Sequence, residues 1–202
     1  MASTSEFVLS ELPAPPARVL EVGAGQGELA EELARAGYDV LAIDPVGEPP
    51  VVSMRLEELD EPDASFDAAV AVVSLHHVEP LEESLRVLAK AMRPGGVLVV
   101  DEFDVARFDE TAARWWSERR AELGREGLHD HGDAVADLRA HLHPVDEVRA
   151  ALEEWFELGP GTPRPYLHRF ELDLGLREEE ERAIAAGDLP ATGVRFTGRR
   201  RD

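Results

Sequence analysis

The chain has 202 residues, no cysteine, and 21 Lys plus Arg against 42 Asp plus Glu, for a formal net charge of −21. That length suits one domain burying about 70% of its unfolded surface, and a disulfide framework is excluded. The acidic balance argues against a nucleic-acid partner, which would need a basic face, while an N-terminus without a basic region and apolar runs short of about 18 residues predict a cytoplasmic protein without a membrane span.

The first predicted strand covers residues 18 to 23 and runs into Gly23-Ala24-Gly25-Gln26-Gly27. A helix follows over 25 to 36, with Leu29 and Leu33 on one apolar stripe and Gly37 as its stop. Strands are predicted at 39 to 44 and 51 to 54, joined by Pro45-Val46-Gly47-Glu48-Pro49-Pro50, which is too short and proline-rich for a helix. Phe66 to Val73 is a continuous apolar run of the kind buried on both faces of a parallel sheet. Pro80 then opens a helix marked by Leu81, Leu85, Leu88 and Met92; Arg93-Pro94-Gly95-Gly96 ends it, and Val97 to Val100 form a fifth strand.

Beyond residue 103 the pattern becomes helical, with segments around Phe108 to Leu123, Val135 to Leu142 and Val145 to Leu152. Two further strands, at Trp155 to Leu158 and Gly193 to Thr197, bracket a Glu-rich helix over 177 to 186. The alternation predicts an open, doubly wound, mostly parallel seven-stranded α/β sheet with a helical cap inserted after strand five. The whole chain is expected to be one domain, with residues 17–103 as the cofactor-binding half and 104–190 as cap and late insertion.

The glycine run is the chemical centre of the sequence. Glycines spaced G-x-G-x-G after a buried strand let the backbone turn sharply and approach a ligand where a Cβ would obstruct. The following helix turns free N–H groups to the same crevice, and Asp44, at the end of the second strand, can accept from two ribose hydroxyls. A dinucleotide fingerprint needs glycine at position 28. This chain has Glu28, whose charge repels a pyrophosphate, so NAD and FAD are disfavoured, as is an oxidoreductase lacking a Tyr-x-x-x-Lys pair.

With Glu21 before the first glycine, the motif reads [D/E]-x-G-x-G-x-G and resembles motif I of the class I S-adenosylmethionine-dependent methyltransferases. Leu56-Glu57-Glu58-Leu59, Ser65-Phe66-Asp67, Leu75-His76-His77-Val78, Arg86-Val87-Leu88 and Arg93-Pro94-Gly95-Gly96 extend the likeness over residues 17 to 103, to the small-molecule branch with a methyltransferase type 11-like domain. The resemblance implies a Rossmann-like fold and S-adenosyl-L-methionine as cofactor. It places Glu21 and the turn of Gly23, Ala24, Gly25 and Gly27 on the methionine end, Asp44 on the ribose, carbonyls near Val73 and Ser74 on the ammonium, and Leu56 and Glu57 beside the adenine. Two departures fall on the adenine side: Arg55 stands where the family often has aspartate, and the 45–50 link lacks the usual helix.

Methyl transfer needs alignment and exclusion of water more than it needs a base. A base, if used, belongs at the ends of strands four and five, which points to His76, His77 and Glu102, each of which could instead pack or hydrogen-bond the turn. Trp115 or Trp116 could wall an acceptor, and Tyr166 and His168 could reach the site from the late insertion, against packing roles for all four. His129/His131 and His141/His143 lack a third ligand at metal spacing, so no metal is expected. The expected function is methyl transfer to an O, N or C nucleophile of a small molecule; the alternative is a catalytically silent cofactor-binding protein whose cap contacts a partner.

Overall fold

Five parallel strands carry the chain's most apolar stretches in the computed structural model, which describes residues 2–125, 131–170 and 172–202. They are β1 (Arg18–Val22), β2 (Asp39–Asp44), β3 (Val52–Ser53), β4 (Phe66–Val72) and β5 (Met92–Phe103). Pairing is parallel for β1 with β2, β1 with β4, β2 with β3 and β4 with β5. Three strands follow, β6 (Phe156–Leu158), β7 (Thr162–Arg164) and β8 (Gly193–Arg200), with β6 and β7 each antiparallel to β8. The sheet order is β3-β2-β1-β4-β5-β8-β6, with β7 also on β8. The order therefore reverses between β1 and β4, where open α/β sheets bind ligands.

The helices are α1 (Thr4–Glu11), α2 (Glu28–Arg35), α3 (Leu81–Ala91), α4 (Glu110–Glu122), α5 (His131–His141), α6 (Val145–Leu152) and α7 (Arg177–Ala186). None of the described helices is long and apolar enough to cross a membrane. The chain divides into two compact units, one comprising Met1–Glu102, Asp146–Pro160 and Phe196–Asp202, the other Phe103–Val145 and Gly161–Arg195. Residues 146–160 and 196–202 thus belong with the first unit although the second interrupts the chain between them.

In the first unit, Val8 and Leu12 join Val19 of β1, Leu33 of α2, Ala68 and Val70 of β4 and Val97 and Val99 of β5 in one buried cluster. Each fully buried Leu or Val there contributes about 1.5–3 kcal/mol. In the second unit the core is aromatic. Phe103 stacks on Tyr166 at 4.8 Å, and Trp116 stacks on Phe170 at 5.1 Å and donates from Nε1 to its carbonyl at 2.7 Å.

Four local features differ from the sequence reading. Helix α1 is additional, closed by a capping box in which Ser3 Oγ accepts from Glu6 N–H and the Glu6 carboxylate accepts from Ser3 N–H. Helix α2 begins at Glu28 rather than 25, because Gly23, Gly25 and Gly27 all take positive φ. Strand β5 begins at Met92, and the Arg93–Gly96 turn is a bulge within it, the register stepping from Phe66↔Met92 to Ala68↔Val97. Strand β7 is an eighth strand, in a stretch where the sequence predicts none; its Pro163 is tolerated on a short terminal pairing.

Candidate cofactor cleft

The cleft lies in the first unit, at the carboxyl ends of β1, β2 and β4. It encloses about 290 Å³, and its wall includes Gly23, Asp44, Val46, Arg55, Glu57, Val73, Ser74 and His77. Its floor depends on one close approach. Gly23 has φ +72°, and a Cβ there would sit 2.3 Å from the Cβ of Ser74, so the turn after β1 can meet the turn after β4 only with glycine. Ser74 Oγ donates to the Val22 carbonyl at 2.7 Å and binds the two turns together.

Asp44 is held in place by backbone donors. Its Oδ2 accepts from Gly25 N–H at 2.9 Å and its Oδ1 from Val46 N–H at 3.0 Å, leaving each oxygen a lone pair for a ligand hydroxyl. The proline-rich link folds back on it: the Asp44 carbonyl accepts from both Gly47 and Met54 N–H at 3.1 Å. No helix fits in that turn, and Val46 is left 82% exposed. Glu21, 3% exposed, has a buried Oε2 without a hydrogen-bond partner, and burial first and the charge of Glu28 second push its pKa to about 7.

The turn after β4 is strained. Val73 has φ +54°, an outlier for a β-branched residue that costs of order 1–3 kcal/mol. The end of β5 holds it. Val73 N–H donates to the Asp101 carbonyl at 2.8 Å, Ser74 and Leu75 N–H both donate to Glu102 Oε1 at 2.7 Å, and Glu102 Oε2 pairs with His76 Nδ1. His76 and Glu102 are buried, and neither is in the cleft wall; His77 is, with its ring 4.3 Å from that of His76. Loss of hydration lowers the His77 pKa, the neighbouring His76 lowers it further, and Glu102 acts the other way.

On the far lip, Leu56 is buried and Glu57 faces the cleft, but Arg55 engages that carboxylate through Nε and the Glu79 carbonyl through Nη2. Arg55 thereby clasps the segment before Leu56 to the segment before α3. Ala24, Gly25 and Gly27 are not wall residues: Ala24 packs with Ala30, Ala42 and Val51, Gly25 is exposed, and Gly27 at φ +85° leads into α2.

A methyltransferase-domain family matches residues 3–158 of the chain. The chain belongs to that family. The match extends past the 17–103 span on which the sequence likeness rests, at both ends. An uncharacterized methyltransferase of Mycobacterium tuberculosis is 32% identical over 155 residues, covering 71% of this chain and 60% of the relative. The human mitochondrial ubiquinone biosynthesis O-methyltransferase is 33% identical over 131 residues, 55% of this chain and 36% of its own. The chain thus spans less than two thirds of either relative. An S-adenosylmethionine-dependent methyltransferase from Mesorhizobium loti has the same fold, with a TM-score of 0.62 at 19% identity over 98% of this chain and 99% of that one.

The residues of this chain fit an S-adenosyl ligand. Glu21 is not a wall residue, but its orphaned oxygen one residue before Val22 of the wall suits an ammonium; the two Asp44 oxygens suit vicinal hydroxyls, and the Gly23–Ser74 approach leaves a cradle that any side chain would fill. Pro45, Val46, Met54, Val78 and Glu79 also line the wall, and the sequence reading gave them no site role. Their signal was positional, since each follows β2 or β4 or precedes the next element at the switch point.

The second-unit candidates have their own surroundings. Trp116 is in the aromatic core, Trp115 is half-buried beneath the Arg119 guanidinium, and Tyr166 stacks on Phe103. His168 Nδ1 pairs with Glu180 at 2.6 Å, and Glu180 also accepts from the N–H groups of Tyr166, Leu167 and His168. Among the described residues no three His, Asp or Glu side chains cluster as metal ligands. His141 ends α5 and His143 follows it, whereas His129 and the side chain of His131 lie outside the described residues.

Proposed function

We propose that this methyltransferase moves a methyl group from S-adenosyl-L-methionine to an O, N or C nucleophile of a small-molecule acceptor in the cytoplasm. The observation that carries this reading is the pairing, across the Gly23 turn, of the backbone-gripped Asp44 with the buried, unpartnered Glu21 oxygen. S-adenosylmethionine, when bound, supplies a methyl carbon activated by a sulfonium. Asp44 holds the ribose hydroxyls, Glu21 and the carbonyls of Val73 and Ser74 hold the ammonium, and Leu56 packs on the base. The Arg55–Glu57 clasp closes the adenine side in place of the missing helix.

His77 is the base of this reading. Its lowered pKa keeps it uncharged at neutral pH, able to take a proton from an acceptor O–H or N–H at the cleft wall. The human relative's O-methyltransferase activity favours an oxygen nucleophile, and the chain's charge of −21 disfavours a polyanionic acceptor.

The test is turnover of labelled S-adenosylmethionine against a panel of phenols, amines and carbon acids, read as release of S-adenosylhomocysteine. The expected result is release with at least one class, its pH profile rising through a midpoint below 6.5 that His77→Gln removes. Tight binding of S-adenosylhomocysteine with no turnover on any class would instead make the chain a silent cofactor-binding protein.

A further inference from the structure

We propose that Glu102 is a positioning residue for cofactor binding: its buried carboxylate clamps the turn after β4 in the strained geometry that presents Val73 and Ser74 to the cleft. The inference rests on the reading that the cleft holds S-adenosylmethionine.

A lone anion buried beneath an active-site turn is costly unless its lone pairs are filled, and those of Glu102 are filled from the turn itself. One oxygen takes two consecutive N–H groups, of Ser74 and Leu75, and the other takes the ring of the next residue, His76. The residue just before this run is Val73 at φ +54°, whose own N–H is tied to the Asp101 carbonyl beside Glu102 on the same strand. A β-branched residue stays in the left-handed region only where its neighbours over-determine it, and here two consecutive residues of β5 hold the N–H groups of Val73, Ser74 and Leu75 and the ring of His76.

The consequence reaches the cleft through Ser74. Its Oγ bonds to Val22, and its Cβ lies where a side chain on Gly23 would have to go. The carboxylate therefore fixes the distance between the turns after β1 and β4, between which the methionine end lies. Glu102 is not itself a wall residue and meets the wall through the Ser74 N–H, which separates this role from that of a base.

The same device recurs in the second unit. Glu180 accepts from three consecutive N–H groups, of Tyr166, Leu167 and His168, and from the ring of His168. There the turn carries no positive-φ residue, so the carboxylate has no strain to hold.

Without the clamp, Val73 relaxes to negative φ, and only a fraction of the free protein remains competent, which weakens apparent affinity by that fraction. In Glu102→Gln the amide still accepts from the two N–H groups but loses the charge that strengthens them. Calorimetric titration would compare S-adenosylhomocysteine with 5′-methylthioadenosine, which lacks the amino-acid end, on wild type, Glu102→Gln, Glu102→Leu and the core variant Leu33→Ala. The expected result is about tenfold weaker S-adenosylhomocysteine binding for Glu102→Gln, a larger loss for Glu102→Leu, and 5′-methylthioadenosine within about twofold of wild type. Leu33→Ala should lower the melting temperature and leave the ratio of the two affinities unchanged. Should Glu102→Leu fail to fold, Glu102→Gln decides. Unchanged S-adenosylhomocysteine affinity in Glu102→Gln, or equal weakening of both ligands, overturns the proposal with the cofactor reading intact. Wild-type protein that binds neither ligand overturns both.

Discussion

At position 23 the demand for glycine is steric twice over, through φ +72° and through a Cβ that would lie 2.3 Å from that of Ser74. Gly23→Ala is expected to weaken S-adenosylhomocysteine at least about tenfold and to cost about 2 kcal/mol of stability, checked by calorimetry and urea unfolding. Glu21 makes a pH prediction. Its pKa is raised from 4.5 to about 7, so between those values the folded protein holds a proton that the unfolded chain has lost. Stability of the free protein is therefore expected to fall as pH rises from about 4.5 to 7, by about 3 kcal/mol from this group. Cofactor affinity runs the other way, because an ammonium needs the carboxylate ionised. S-adenosylhomocysteine binding is expected to weaken about tenfold per unit below pH 7 and to be flat over that range in Glu21→Gln. At this scale the motif was legible in the sequence, since glycine spacing and acidic residues are local properties. The strain at Val73 was not, because nothing in Val72-Val73-Ser74 marks a left-handed residue until β5 supplies its partners.

Elements repeat the lesson with longer-range causes. The apolar runs and 3.6-residue periodicities of β1, β2, β4, α2 and α3 are written in consecutive residues, so their existence and order could be read directly. Helix α1 was signalled only by Ser3-x-x-Glu6, and the bulge that starts β5 early depends on pairing with Phe66, which is 26 positions away from Met92. Glu102 and Glu180 show the limit most clearly. One looked like a base candidate and the other was read only as part of a Glu-rich helix, yet each anchors a turn. Burial, the largest influence, pushes the Glu180 pKa up, but the His168 ring and three N–H donors together hold it below 4.5. Its stabilisation is present above pH 4.5 and lost as pH falls through the depressed folded value. Glu180→Gln is expected to cost about 2 kcal/mol in urea unfolding near pH 7, with the difference from wild type shrinking on acidification.

For the whole molecule, a charge of −21 opposes the compact state by self-repulsion that salt screens. Raising sodium chloride from about 0.02 to about 0.3 M is expected to raise the melting temperature by a few degrees, and transfer RNA should give no mobility shift at about 0.15 M salt. By itself the sequence determined the α/β class, the family and the glycine turn beside Asp44, because each rests on short-range pattern: period, glycine spacing, an acid at a strand end. Only the tertiary structure decided that Arg55 clasps the segment before Leu56 to the segment before α3, that Trp116 is core, and that Glu102 holds a turn instead of lining the cleft. Those outcomes depend on which side chains meet after the sheet has formed, through hydrogen bonds between residues 24 to 54 positions apart.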